Sequence, residues 1–237
     1  MTGDMIGLRA DAVLFDKDGT LFDFNATWVA WVEVLLTSWS GGDGVLAARL
    51  AEVLDFDRAA RRFRPGSVVI AGTPVDVAAC VAPVLGVAPG DLVDRLNAEA
   101  AAAPMAEAVP LAPFLAGLAG AGLKLGVATN DGEAPARAHL ARAGVEGAFD
   151  FIAGSDSGHG GKPAPGMLLA FAAAVGVAPE RIVMVGDSTH DLEAGRAAGM
   201  QTVGVLTGPA RAETLAPCAD AVLPDIGHLP GWLLSAG

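Results

Sequence analysis

Lysine, cysteine and net positive charge are all scarce in this chain of 237 residues, and each scarcity excludes something. The formal net charge is −12. Nucleic acid and anionic membranes are bound through clustered Lys and Arg, so neither is expected as a main partner. A small phosphorylated molecule is not excluded, because it needs only a few local cations and a metal. Lys17, Lys124 and Lys162 are the only lysines, which makes each of them individually informative. Cys80 and Cys218 are the only cysteines. Two thiols make no disulfide framework, and a cytoplasmic setting is expected. The apolar stretches at 27–39 and 68–93 are interrupted by Glu33, Asp76 and several prolines, so neither gives the roughly 18 uncharged residues of a membrane span. The start, MTGDMIGLRADAV, has no basic region followed by a long apolar one, and no signal peptide is expected.

What is present is a 52% hydrophobic chain long enough for an α/β core and an extra domain. Short apolar runs with the length of buried strands recur at Ala12–Phe15, Lys124–Ala128, Phe151–Ala153, Ile182–Val185, Thr202–Leu206 and Ala221–Leu223. From residue 110 they alternate with helical stretches, the pattern of a mostly parallel sheet with crossover helices. Gly120, Gly122, Gly144, Gly176 and Gly199 fall where those helices should end. Residues between about 25 and 105 read differently. Trp28, Val32, Leu35, Leu36 and Trp39 share one helix face, and Leu46, Leu50, Val53 and Leu54 share another. Further helices are expected at about 74–85 and 89–103, and no strand is. A helical block is therefore expected to be inserted just after the first strand.

Four segments carry chemistry. In Asp16-Lys17-Asp18-Gly19-Thr20 two carboxylates emerge at the end of an apolar run, where open α/β sheets place their ligands. Such a pair suits a hard divalent cation, or a nucleophile beside an acid/base; alone, it is also an ordinary Asp-Gly turn. Val127-Ala128-Thr129-Asn130 ends a second run in a hydroxyl, which by itself reads equally as an N-cap. In Gly160-Gly161-Lys162-Pro163-Ala164-Pro165 a lysine precedes prolines that suit the start of a helix, near its positive end. In Val185-Gly186-Asp187-Ser188-Thr189-His190-Asp191 an apolar run ends in carboxylates and a helix follows.

These four segments, in this order, resemble the motifs of the haloacid-dehalogenase-like (HAD) superfamily, most of whose members are phosphohydrolases. The resemblance implies a Rossmann-like core, residues 1–23 and 108–237, and a helical C1-type cap, residues 24–107. It implies Asp16 as the nucleophile that forms an aspartyl-phosphate, and Asp18 as the acid/base. Thr129, Asn130, Lys162 and Gly19 would hold the phosphoryl group. Mg²⁺ would be bound by Asp16, Asp187 and the backbone carbonyl of Asp18. Asp191 would bind through water or hold Asp187 and Lys162 in place. Hinges are expected near 22–25 and 105–110.

The chain looks closest to phosphoglycolate phosphatases. The implied function is Mg²⁺-dependent hydrolysis of a small phosphorylated metabolite, phosphoglycolate-like or a sugar phosphate, by a monomer or homodimer. A phosphomutase or phosphotransferase, and a non-catalytic phosphate-binding protein of the same fold, are the alternatives. Residues 24–110 contain neither Lys nor His, which disfavours a phosphonatase or a β-phosphoglucomutase. Asp18 favours a phosphatase over a dehalogenase. Arg58, Arg61, Arg62 and Arg64 could meet a substrate carboxylate, although a solvated face with ion pairs is the preferred reading. His159 and His190 are expected to be exposed bystanders. Trp31 lies off the main apolar face of its helix, at an interface or partly buried. Lys17 stands where the superfamily usually has an apolar residue, and could meet a substrate anion or simply be solvated.

Overall fold

The computed structural model describes residues 7–234, so the ends of the two expected core segments, 1–6 and 235–237, lie outside the described residues. Strand β1 (Ala12–Phe15) is apolar and buried at every position. A strand buried on both faces belongs in the middle of a parallel sheet, and β1 lies there. The chain then runs through five helices, α1 (Phe24–Ser40), α2 (Gly44–Val53), α3 (Val68–Ala71), α4 (Pro74–Leu85) and α5 (Gly90–Ala102), with short strands β2 (Phe56–Asp57) and β3 (Arg62–Phe63) between α2 and α3. It returns through α6 (Leu111–Gly120), β4 (Lys124–Ala128), α7 (Glu133–Arg142), β5 (Phe151–Ala153), α8 (Gly166–Val175), β6 (Ile182–Gly186), α9 (Thr189–Ala197), β7 (Gln201–Val205), α10 (Ala212–Leu215), β8 (Ala221–Leu223) and α11 (Leu229–Leu234).

The six long-range strands form one sheet in the order β5-β4-β1-β6-β7-β8. Every pairing in it is parallel. From β1 the connections run outward to one side through β4 and β5 and to the other through β6, β7 and β8. The carboxyl ends of β1, β4 and β6 therefore meet at the switch in direction, where a crevice opens. The α/β class and all six sheet strands follow the sequence expectation.

Two apolar layers cover the sheet. On one face Val13, Phe15, Val127 and Val183 pack with Leu111, Leu115 and Leu229. On the other Ala12, Leu14 and Met184 pack with Met167, Phe171 and Ala194. The helical block has its own core, in which Trp28, Val32, Leu35 and Trp39 of α1 pack on Leu50, Val77, Val81 and Leu96. The two chain segments that join this block to the sheet run side by side. Asp23 N–H donates to the Ala106 carbonyl at 2.8 Å, and Ala108 N–H to the Leu21 carbonyl at 2.9 Å. The Asp23 side chain caps α1.

One expectation for the block is corrected. It does contain strands: Phe56 and Asp57 pair antiparallel with Phe63 and Arg62. Two-residue strands are too short to show a period-2 pattern. Helix α3 is a single turn, capped by Ser67, and was likewise too short to read. Trp31 is only 4% exposed and packs edge-on to Trp28 at 5.2 Å, so it marks no outer interface among the described residues. No single described helix is long and apolar enough to cross a membrane; α4 and α5 pass that test only as a pair bent by 117°.

Candidate active site

The loops after β1, β4, β5 and β6 meet at the carboxyl end of the sheet, and each begins where a largely apolar strand runs out. Asp16 follows Phe15, and its N–H donates to the Val185 carbonyl, which keeps the backbone in register with β6. Asp187 follows β6 in the same way. Lys162 reaches across from the loop before α8. Its Nζ donates to Asp16 Oδ1 at 2.6 Å and to the Ala128 carbonyl at 2.7 Å, and pairs with Asp191 Oδ1 at 2.6 Å.

The helix after Lys162 starts later than its prolines suggested. Helix α8 begins at Gly166, with Pro165 as N-cap. Pro163 and Pro165 each bar the residue before them from the α region, so residues 162–165 form a loop. Lys162 is set by Asn130 instead. The Asn130 Oδ1 accepts from Lys162 N–H at 2.8 Å, and its Nδ2 donates to the Lys162 carbonyl at 2.9 Å. The same Nδ2 donates to the Ala71 carbonyl at 2.7 Å. The Asn130 side chain is thus occupied, and only its backbone is left to meet a phosphoryl oxygen. Thr129 Oγ1 accepts from Asp131 N–H at 3.1 Å, which leaves its hydroxyl proton free to donate.

Asp16, Asp187 and Asp191 are all buried and bring one carboxylate oxygen each within 4.8 Å of one another. Asp187 sits in a gap made by two glycines: a Cβ on either Gly19 or Gly208 would collide with its carboxylate. Gly19 also has φ +77, and its carbonyl accepts from Thr207 Oγ1 at 2.6 Å. Asp191 caps α9 reciprocally with Ser188, taking bonds from the Ser188 N–H at 3.0 Å and Oγ at 2.7 Å.

The electrostatics define a deficit. Burial pushes the Asp16 carboxyl up to about 7, against the pull of Lys162 and with Asp191 and Asp18 adding to the rise. Burial, then Asp191 and Asp16, push Asp187 well above the usual carboxylate range. Burial works against the Lys162 ammonium, but Asp16 and Asp191 outweigh it and hold its pKa above the ordinary lysine value. Three buried carboxylates against one ammonium leave about two negative charges without a partner, and oxygen ligands of this kind suit a hard divalent cation. The donor set therefore fits Mg²⁺.

Asp18 lies outside that trio, and its side chain is held by Lys17. Lys17 is fully buried. Its Nζ grips both carboxylate oxygens of Asp18, at 2.9 and 2.8 Å, and pairs with Asp131 Oδ2 at 3.1 Å. It also lies 3.0 Å from His139 Nδ1 and 5.7 Å from the centre of the Trp28 ring. An ammonium only donates, so Nδ1 accepts and the proton sits on Nε2, which donates to the Ala100 carbonyl at 2.9 Å. Burial and then the Lys17 charge push His139 down to about 4, keeping it neutral at pH 7. Burial alone would lower the Lys17 pKa, yet Asp18 and Asp131 hold it above the ordinary value.

Sequence reasoning missed Asp131, His139 and Gly208. Asp131 directly follows the Thr129-Asn130 motif, and a buried Lys17 needs a counter-charge, so that pairing had a signal. His139 and Gly208 had none. The arginines at 58–64 took the blander of their two readings. All four are exposed; Arg61 pairs with Glu33 at 2.8 Å and Arg64 with Asp55 at 3.0 Å. His159 is exposed and His190 half-buried.

Residues 10–199 match the haloacid dehalogenase-like hydrolase family. A phosphoglycolate phosphatase of Rhodospirillum rubrum is 37% identical over 120 residues, and that match spans only 51% of this chain and 50% of its own. A phosphoglycolate phosphatase of Salmonella typhimurium is 30% identical over 227 residues, 90% of this chain and 88% of its own. The solved structure of an HAD family hydrolase from Deinococcus radiodurans, with bound phosphate and sodium, superposes with a TM-score of 0.63 at 27% identity. It covers 95% of this chain and 96% of that one.

Proposed function

The chain belongs to the haloacid dehalogenase-like hydrolases, and from that membership we propose that it is a Mg²⁺-dependent phosphomonoesterase acting on a small phosphorylated metabolite. The observation that carries this reading is the convergence on one cavity of Asp16, Asp18, Thr129, Lys162 and Asp187.

In this proposal the Asp16 carboxylate attacks phosphorus in line with the leaving oxygen. One Oδ–P bond forms, the P–O ester bond breaks, and Asp18 gives its proton to the departing alkoxide. Asp18, now a carboxylate, takes a proton from water, whose oxygen attacks the aspartyl-phosphate. Inorganic phosphate leaves and Asp16 is regenerated. Splitting one displacement into two is what a carboxylate nucleophile offers, and Asp18 serves as acid and then base. Lys162, held at 2.6 Å from Asp16 Oδ1, orients the nucleophile and adds positive charge beside it. Thr129 Oγ1 and the backbone N–H groups of the Asp18–Gly19 turn would bind the equatorial oxygens, where charge accumulates. Mg²⁺ would be held by Asp16, Asp187 and the Asp18 carbonyl, and when bound it neutralises charge on the phosphoryl group. Asp191, occupied by Lys162 and Ser188, acts by holding them in place.

Residues 24–107 are proposed to form a helical cap over this site. The support is their separate apolar core and the bond from Asn130 to Ala71, which ties the loop after β4 to the end of α3. A cap excludes water and selects small substrates.

Hydrolysis of p-nitrophenyl phosphate tests the reading. Activity should need Mg²⁺, vanish with EDTA and vanish in Asp16→Asn. Metal-independent turnover, or full activity in Asp16→Asn, overturns it. Recovery of an isomerised sugar phosphate in place of inorganic phosphate would make the protein a phosphomutase.

A further inference from the structure

The wall that would face the leaving group carries no free positive charge. Opposite the catalytic carboxylates the cavity is lined by Trp28, Trp31, Val69, Val77, Leu96 and Ala100, with Asn97 among them. Among the described residues the one cation on the lining is Lys162, and both of its carboxylate partners lie at 2.6 Å. Lys17 lies behind the lining, fully buried and bound to Asp18 and Asp131. The arginines of the helical block face solvent: the side chains of Arg61 and Arg64 are 63% and 53% exposed. The lining instead holds five aspartates, at positions 16, 18, 131, 187 and 191.

A carboxylate on the leaving group would enter this space without a free cation to pair with, because Lys17, Lys162 and a bound Mg²⁺ would already be matched by the five aspartates. Burying an unpaired carboxylate is costly in any protein interior. An uncharged leaving group meets no such barrier, and its carbon atoms would sit against indole and aliphatic surface.

The same wall has polar atoms that lack partners. The indole Nε1 of Trp28 and of Trp31 are buried donors without an acceptor in the protein, and Asn97 Oδ1 is a buried acceptor without a donor. Trp28 and Trp31 are 9% and 4% exposed. The residues that carry these two donors and one acceptor all line the cavity, and a hydroxyl brought among them could accept and donate at once. The cavity volume is about 60 Å³, well below the roughly 300–1,000 Å³ of sites for drug-sized ligands, so the group is small.

We propose that this cavity selects phosphomonoesters of small uncharged alcohols that carry a further hydroxyl, and rejects esters whose leaving group bears a carboxylate, phosphoglycolate included. The proposal rests on the phosphatase reading above. It turns on which charges the wall offers, and so sets this chain apart in substrate from relatives whose names specify phosphoglycolate.

One neighbouring cleft sharpens the test. It shares Ile70, Ala71, Gly72, Lys162 and Ser188 with the cavity and is lined also by Arg211 and His190. A carboxylate that reached past residues 70–72 would find a cation there.

The experiment compares 2-hydroxyethyl phosphate with phosphoglycolate, nearly equal in size and differing in the charge at the far end. Steady-state kcat/KM is measured on the full chain with Mg²⁺. Equilibrium binding of the same two esters is measured by calorimetry on Asp16→Asn, which should bind without turning over. The hydroxyl ester is expected to exceed phosphoglycolate by at least tenfold in both measurements. Trp31→Phe, which removes one donor and keeps the ring, is expected to narrow the ratio several-fold. Asn97→Arg, which puts a cation on the half-buried edge of the wall, is expected to invert it. Equal or better use of phosphoglycolate by the wild type overturns the proposal. So does a phosphoglycolate preference that disappears in Arg211→Ala, because the second cleft then supplies the cation. If neither ester is turned over, the binding ratio still decides the selectivity, and the phosphatase reading fails only if p-nitrophenyl phosphate is not hydrolysed either.

Discussion

Replacing Lys17 by methionine should be among the most damaging single changes outside the catalytic set. Methionine matches the length of the stem and removes only the ammonium. Four groups lose their partner: both oxygens of Asp18, Asp131 Oδ2 and His139 Nδ1. Asp131 is 7% exposed and cannot turn to water. Removing one member of a buried ion pair costs about 3–5 kcal/mol, because the remaining charge stays buried. For a chain of this size each kcal/mol moves the melting temperature by roughly 2–4 °C, so a fall of about 10 °C is expected. Urea denaturation at pH 7 with matched m-values measures the free energy. The double variant Lys17→Met with Asp131→Asn should recover part of the loss, since the stranded carboxylate is gone and the two sites are in contact. A single variant within about 1 kcal/mol of wild type would refute the account. So would a double variant less stable than the single one.

Three further outcomes follow from the geometry. Gly208→Ala puts a methyl group where the Asp187 carboxylate sits; the Mg²⁺ needed for half-maximal activity should rise at least tenfold, and an unchanged Mg²⁺ titration would dismiss the glycine gap as a determinant. His139 has a folded pKa of about 4 against an ordinary 6.5, so the unfolded chain binds the proton first and stability declines as pH falls from about 6.5 towards 4. By that linkage wild type should lose about 2 kcal/mol relative to His139→Gln between pH 7 and pH 5, and parallel pH–stability curves for the two would remove the argument. Asn130→Ala strips three bonds that hold Lys162 and Ala71; at about 1 kcal/mol each, stability should drop by roughly 3 kcal/mol and kcat by tenfold or more, and a variant with normal kcat would show that Lys162 is placed without it.

Much of the fold was legible because the central strands β1, β4 and β6 are buried almost throughout and read as mostly apolar runs. The run Ala12–Phe15, for example, has no exposed position to blur it. The helices of the block were legible from their 3.6-residue stripes. What escaped were elements too short to repeat their own pattern, such as Phe56–Asp57, Arg62–Phe63 and the single turn at Val68–Ala71. The start of α8 was misjudged for a different reason. Proline suits a helix start, but two prolines spaced by one residue also forbid the helical backbone before each of them.

The candidate site was legible where a motif holds its chemistry in consecutive residues, and opaque where the partner comes from another element. Asp16, Asp18, Lys162 and Asp187 each follow or precede a recognisable strand or loop. Lys17 could not be understood from its neighbours, because its partners Asp131 and His139 arrive from the loop after β4 and from α7, over one hundred positions away. A lysine between two aspartates on a strand end looks solvated in sequence, and only burial reveals that it must be paired. The converse holds for the arginines at 58–64. Their clustering suggested an anion site, yet each lies on the outer surface and those at 61 and 64 are paired with acids of the same helical block. Charge near a site in sequence therefore said little about charge inside it, and the chemistry of the substrate is set by the uncharged wall of Trp28, Trp31 and Leu96 instead.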